Sequence, residues 1–351
     1  MVTHRVTDAM KRKRVGPVLT RLGRFVLLLS SALPLILVTG CQGVLSLQPK
    51  GPAAQHIANL WWFQFFLALP FLLAVIILLL IVIRRKNGSG ESKPRNHGMK
   101  MVLWGGAILP ALAMLALMSH TIYTLVAVTE PAKHAELGVE VEGKMWWWKI
   151  GYSHGEEMIY TANEIHIPAG EPVALELISD NVIHSFWVPE LNGKRDLIPG
   201  MTSGFWIQAD NPGTYHGQCA EFCGAQHAKM HFLVIAHEPA EFARWLESES
   251  QPSRLLAEGE EYFRGQQVFA EAGCGICHTV RGAGASGTIG PDLTHLGSRR
   301  DLAAGTLSNV PGNLAAWIVN SQHFKPGNLM PAMPLQPADL IDITDYLQNL
   351  H

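Results

Sequence analysis

Apolar and polar positions alternate with four different rhythms along this chain. Residues 60–83 are apolar apart from Gln64, and 101–128 form a second apolar run with Pro110 inside it and Ser119 and His120 towards its end. At ~1.5 Å per residue, either helix would cross a ~30 Å hydrocarbon core. A shorter apolar run, 25–38, follows Lys11, Arg12, Lys13, Arg14, Arg21 and Arg24. It is too short to span comfortably and reads as the core of an export signal covering 1–40. From about 133 the rhythm becomes short alternating runs at 138–142, 146–150, 164–167, 173–179, 183–188, 205–209 and 231–236. Pro168–Gly170 and Asn211–Gly213 punctuate them, which predicts an antiparallel sandwich or barrel over 133–245. Residues 246–254 are polar and aperiodic, as in a linker. Helical spacing returns at 257–272, 314–322 and 337–350, where Leu340, Ile343, Leu347 and Leu350 share one face.

Composition sharpens this picture. Of 351 residues, 48% are hydrophobic and only 16% charged, which fits membrane spans, and the net charge of -2 gives no footing for nucleic acid. Arg84, Arg85, Lys86, Lys93, Arg95 and Lys100 face a single Glu91 across the short loop 84–100. The positive-inside rule therefore predicts a cytoplasmic loop, with 41–59 and everything after 128 outside. Trp61 and Trp62 suit the outer interface. Of the five cysteines, Cys41 ends Val38, Thr39, Gly40, Cys41, which resembles a bacterial lipobox. That resemblance implies cleavage before Cys41 and its diacylation. None of the other four is left over for a structural disulfide.

The richest chemistry lies in Cys219–Met230, which brings together Cys219, Cys223, His227 and Met230, with His184 upstream. Soft thiolates with imidazoles and a thioether select copper over magnesium, calcium or manganese. One cysteine would make a mononuclear blue-copper site, whereas two thiolates can bridge two copper ions that share an unpaired electron. A zinc site or a buried thiol pair is the plainer alternative. The spacing, with Gly213, Tyr215, Gly217 and Gln218 ahead of Cys219, resembles the binuclear CuA centre of cytochrome c oxidase subunit II. The resemblance implies a cupredoxin-like β-sandwich with Cys219 and Cys223 as bridging thiolates and one imidazole, His184 or His227, on each copper. It makes Met230 a weak axial ligand and the Glu221 carbonyl its counterpart on the other copper. It also implies a magnesium ion reached by the Glu221 side chain at the border with subunit I. In Trp146, Trp147 and Trp148 it assigns Trp146 as the residue that receives electrons near copper, with core filling as the plainer reading of all three rings.

Cys274, Cys277 and His278 spell the c-type haem attachment signature, although a redox Cys-x-x-Cys can also precede histidine. Gly290, Pro291, Asp292 and Leu293 follow, then Lys325–Met330. These resemble a class I cytochrome c over 255–351. The likeness implies thioethers from Cys274 and Cys277, His278 as proximal ligand, the Pro291 carbonyl orienting it, and Met330 as distal ligand, with Met333, His295 and His323 as rivals.

Together the parts resemble subunit II of an aa-type haem–copper oxidase with a fused cytochrome c, the caa class. This implies a two-helix transmembrane hairpin, a cupredoxin-like sandwich and an all-α cytochrome c domain in a bacterial inner membrane, with both cofactor domains on the periplasmic face. Electrons would pass from haem c to CuA and then to haem a and the haem–copper centre of subunit I, where dioxygen is reduced to water with proton translocation. Implied partners are subunits I and III, and an upstream cytochrome c or quinol–cytochrome c reductase as donor. No acid–base or nucleophilic constellation is needed. A quinol-oxidase subunit II shares the fold without the copper ligands, and a membrane-tethered copper-delivery module is the non-enzymatic alternative. Two positions depart from the family: 98–103 holds no acid, leaving His97 nearest, and Asn181 stands where a docking carboxylate is common. The linker is expected to act as a short flexible tether that keeps haem c near copper.

Overall fold

A computed structural model describes residues 47–84, 95–129 and 135–351. Cys41, the export signal and most of the loop 84–100 lie outside the described residues. Helix α1 (Pro52–Arg84) and helix α2 (Gly98–Thr129) are each long and apolar enough to cross a membrane. Helix α1 begins earlier than its apolar run because its first turns pack on the β domain. Ala53, Ala54 and Ala58 are buried, and Ala54 N donates to Leu191 O at 3.2 Å. Pro52 suits a first helical position, where no amide donor is needed. Helix α2 carries a π-helical stretch, Trp104–Ile108, just before Pro110. A proline ring cannot supply an amide to the preceding turn, so local widening there has an identifiable cause. The end of α2 is tied to the β domain by Trp206 Nε1, which donates to Val128 O at 3.1 Å.

Ten strands form two five-stranded sheets. These are β1 (Leu137–Lys144), β2 (Trp147–His154), β3 (Glu157–Ala162), β4 (Glu164–Pro168), β5 (Val173–Ser179), β6 (His184–Trp187), β7 (Lys194–Leu197), β8 (Ser203–Ile207), β9 (Gly213–Cys219) and β10 (His231–His237). The sheet orders are β3-β2-β1-β5-β8 and β4-β10-β9-β6-β7. The sandwich is mixed rather than purely antiparallel, because β1 pairs with β5, and β4 with β10, in parallel. Alternate side chains fill the space between the sheets, including Val141, Trp148, Ile150, Leu177, Phe186 and Phe232. Strands β3, β7 and β9 were not marked by the apolar pattern. Glu157, Lys194 and Gly213 open strands whose alternation is diluted by polar and glycine positions. Trp146 falls in the turn before β2 rather than inside a strand.

The expected linker is partly helical. Helix α3 (Pro239–Ser250) runs through 246–250. Its Trp245 ring stacks on His166 with centroids 3.9 Å apart, and Phe242 is buried beside it. Arg281 donates to the carbonyls of Glu249 and Ser250, at 2.6 Å and 2.9 Å. Those donors satisfy carbonyls that a helix end leaves open, so the helix persists through a polar sequence.

The C-terminal unit is mostly rather than wholly helical: α4 (Phe263–Glu271), α5 (Pro311–Val319), the single turn α6 (Ser321–Phe324) and α7 (Pro337–Gln348), with two short antiparallel ladders, Thr279–Val280 with Ala285–Ser286 and Asp301–Leu302 with Leu307–Ser308. Helix α4 starts six residues later than the periodicity suggested, because Tyr262 takes a left-handed backbone, φ 64°. Helices α4 and α7 cross at Gly265, where a Cβ would lie 2.1 Å from the Asp342 carbonyl oxygen. Val268, Phe269, Leu314, Ile318, Ile343, Tyr346 and Leu347 form this unit's core.

Candidate functional site

The end of β9 and the loop to β10 form one wall of the thiol site, and the start of β6 forms the other. Cys219 N donates to Met230 O and Ala220 N to Ser185 O, both at 2.9 Å, so the loop is pinned at its ends. The Sγ atoms of Cys219 and Cys223 stand 3.7 Å apart, far beyond the ~2.05 Å of a disulfide. His184 Nδ1 is 3.9 Å from Cys219 Sγ, and His227 Nδ1 is 3.7 Å from Cys223 Sγ. Met230 Sδ lies 3.7 Å from Cys223 Sγ, and the Glu221 carbonyl oxygen lies 3.2 Å from Cys219 Sγ. Donor atoms of His184, Cys219 and Cys223 fall within 4.8 Å of one another, but His227 is not within that distance of all three. The donors therefore form an elongated chain, imidazole–thiol–thiol–imidazole, rather than the compact tetrahedron of a single zinc ion.

The Cys223 thiol 3.7 Å away, with His184 and the backbone at Ser185 and Glu221 adding support, holds the Cys219 thiol well below the usual thiol range. The same contact and burial push the Cys223 thiol up, and a soft metal would displace its proton. Asn181 Oδ1 accepts a hydrogen bond from His184 Nε2 at 3.2 Å, which orients the ring with Nδ1 towards Cys219. Gly143 makes room for the ring: a Cβ there would meet His184 Cδ2 at 2.8 Å. Trp148 packs edge-on to Phe186 and Phe232 behind the site. Glu221 points its carboxylate to Lys194 Nζ, 3.7 Å away.

The second feature is a mostly apolar cavity of about 400 Å³ formed chiefly by the helical unit and closed by Met145, Trp146, Trp147 and Asn163 of the sandwich. Cys274, Cys277, His278, Pro291, Met330 and Met333 all line it. His278 Nδ1 lies 2.8 Å from the Pro291 carbonyl and donates to it, which frees Nε2 as the ring's acceptor. Burial pushes the His278 imidazole pKa down, with the Pro291 bond opposing, so the ring is held neutral. Gly290 lets it lie flat against the main chain, since a Cβ would come 2.5 Å from His278 Cε1. Met330 is pinned through its backbone: its carbonyl accepts from Ser321 Oγ at 2.6 Å and Gln322 Nε2 at 2.8 Å. Neither His295 nor His323 lines the cavity, and His295 Nε2 instead donates to Gln251 O at 3.0 Å.

Trp146 joins the two features. It is only 9% exposed and lines the cavity, while its Nε1 donates to the Cys223 carbonyl at 2.9 Å. Trp147 also lines the cavity, whereas Trp148 is wholly buried in the sandwich. Lys325, buried beside Trp146, has its ammonium pKa drawn down to about 7 by desolvation and then by Lys229.

The family described as "Cytochrome C oxidase subunit II, periplasmic domain" matches residues 152–237, and the family described as "Cytochrome c" matches 263–351. The cytochrome c oxidase subunit 2 of Alkalihalophilus pseudofirmus is 36% identical over 331 residues, covering 90% of this chain and 94% of that one. The chain belongs to the cytochrome c oxidase subunit II family. Subunit 2 of a quinol oxidase from Bacillus anthracis is 32% identical over 66% of this chain and 82% of its own length. Among solved structures, the periplasmic domain of subunit II of cytochrome oxidase from Bradyrhizobium japonicum is 30% identical, with 33% of this chain and 94% of that chain covered and a TM-score of 0.32.

As a subunit II with a cytochrome c domain, the chain is a membrane protein and a component of a haem–copper oxidase complex. The family domains imply copper in the sandwich and haem c in the helical unit. The residues present fit both groups. The sandwich offers two free thiols flanked by imidazoles, and the helical unit offers an apolar cavity with two thiols, a neutral imidazole and thioethers on its walls. Asn181, Gly143 and Lys325 were not singled out as site-building residues from sequence. An asparagine three residues before His184 is the one local signal, and in the sequence alone it marks only the lack of a carboxylate.

Proposed function

We propose that this chain is the electron-transfer subunit of a proton-translocating cytochrome c oxidase. In this reading electrons pass from a covalent haem c to a binuclear CuA centre and on to the haem–copper centre of subunit I, where dioxygen is reduced to water. When bound, the copper pair and the haem supply one-electron carriers of little rearrangement. The protein's own work is to hold and insulate them. Cys219 and Cys223 would bridge, His184 and His227 would each take one copper, and Met230 and the Glu221 carbonyl would be the weak ligands. Cys274 and Cys277 would form the thioethers, with His278 and Met330 as axial ligands, His278 oriented by Pro291. Trp146 would carry the electron between the two, because its ring lines the cavity and its N–H holds the copper loop.

The observation that carries this reading is the elongated donor chain, in which each thiol has its own imidazole. The quinol-oxidase reading has no use for such a set. Copper delivery has no use for a cavity bearing the attachment motif. We divide the mature chain into an outer segment 41–59, the hairpin 60–128 around a cytoplasmic loop 84–100, the CuA domain 133–245 and the cytochrome c domain 255–351. Cys41 is the lipidation candidate, and Glu221 the candidate for magnesium at the subunit I border. Subunit III and an upstream cytochrome c or quinol–cytochrome c reductase are the remaining partners. Cys223→Ser is the test: the delocalised mixed-valence EPR signal disappears while haem stays attached. An unchanged EPR spectrum would rule out a thiolate-bridged pair.

A further inference from the structure

Lysine is rarely buried unless its ammonium is fully paired. Lys325 is 3% exposed, in the turn that leads from α6 to Met330. Its Nζ donates to three backbone carbonyls: Trp146 at 2.7 Å, Lys229 at 2.8 Å and Ala303 at 3.0 Å. Three acceptors match the three donors of its protonated form. Two of the acceptors belong to the sandwich and one to the helical domain, so a single side chain braces both.

The acceptors are well placed to set the distance between the cofactors. Trp146 holds the Cys223 carbonyl through its indole, Lys229 sits between His227 and Met230, and Ala303 lines the cavity. Other bonds surround the brace. Gln226 Nε2 donates to Pro326 O at 2.7 Å, Lys229 Nζ to Phe324 O at 2.5 Å, His231 N to Ala304 O at 3.1 Å, and Arg300 N to Glu164 Oε1 at 2.7 Å. With them the junction is a fixed, hydrogen-bonded interface rather than the encounter of a tethered partner.

We infer that Lys325 is a positioning residue for haem-to-copper transfer, locking the cytochrome domain in one pose over the copper loop by satisfying carbonyls of both domains. This rests on the electron-transfer reading above and adds what sets its geometry. Without the ammonium, the Trp146 and Lys229 carbonyls lose their donor, whereas Ala303 O keeps Thr306 Oγ1, and those two regain one only if the domains part and water enters. The pose is therefore set by the interface, and the segment after Ser250 only limits how far the domains can part.

The test uses the intact chain in detergent with both metals loaded, following haem and copper absorbance after flash reduction of haem c. In the wild type the transfer rate is independent of added glycerol, because no domain motion precedes transfer. Lys325→Met keeps both cofactor spectra and the haem potential. Its transfer slows about tenfold or more and becomes viscosity-dependent, as the docked population falls. A purely structural role would leave viscosity dependence unmoved. An unchanged rate and viscosity profile in Lys325→Met overturns the inference. If that variant fails to hold either cofactor, the wild-type series decides: a flat profile supports the lock, and a rate that falls with viscosity overturns it. Absence of haem-to-copper transfer in the wild type overturns the electron-transfer reading, and the positioning role with it.

Discussion

Replacing Trp146 by phenylalanine separates the ring's bulk from its N–H. The wild-type indole is 9% exposed and donates to Cys223 O at 2.9 Å. Phenylalanine retains an aromatic body but leaves that carbonyl without its donor, at a cost of roughly 1–3 kcal/mol for a buried acceptor. The smaller ring also opens space beside Gly224, where a Cβ would lie 3.1 Å from the indole. For a domain of roughly 100 residues, each kcal/mol lowers the melting temperature by about 4–8 °C. Calorimetry of the copper-loaded chain should therefore show the sandwich transition several degrees lower. Flash reduction of haem c should show severalfold slower arrival of the electron at copper, with the haem spectrum untouched. Copper EPR should keep its delocalised form with altered hyperfine splitting, since the Cys223 main chain is freed rather than removed. An unchanged transfer rate together with an unchanged melting temperature would refute both the bridge and the hydrogen-bond argument.

Two further outcomes follow from other parts of the structure. Met330→Leu lowers the haem potential and produces a high-spin or misligated spectrum, while Met333→Leu changes little in redox titration; the reverse result moves the axial ligand to Met333. The second concerns His237, whose pKa is lowered by burial and then by His166, 2.8 Å away, with Glu241 raising it and Arg300 adding to the depression. A depressed base binds fewer protons when folded, so stability is lost as pH falls below the unfolded value of ~6.5. Thermal melts should show the contact of α3 with the sandwich weakening between pH 7.5 and 5.5, and His237→Gln should flatten that slope; an equal slope in the variant contradicts the assignment.

Much of the site was legible because its parts are close in sequence. Cys219, Cys223, His227 and Met230 fall on one loop, and Cys274, Cys277 and His278 on another, so residue type and spacing carried the chemistry. Length and hydropathy likewise marked the two apolar helices. What stayed hidden depends on tertiary contact. Helix α1 starts at Pro52 because the sandwich receives Ala54, which no window of hydropathy registers. Strand β9 delivers Cys219 yet carries Gly213, Gly217, His216 and Gln218, which blur its alternation. The supposed tether is helical to Ser250 because Arg281, far along the chain, takes up its carbonyls. Lys325 reads as one more cation in a haem loop until its three acceptors, two of them in another domain, are seen together.

The central claim is that one chain carries electrons from its own haem to its own copper. The direct measurement is the rate of copper reduction after flash reduction of haem c in the intact protein, across protein concentrations and ionic strengths. A docked donor needs neither diffusion nor electrostatic steering, so the rate should be flat in both variables. Truncation after Ser253 should remove that fast phase and leave the copper spectrum intact. A rate that rises with protein concentration would mean that the haem domain serves a neighbouring molecule, and would contradict the account.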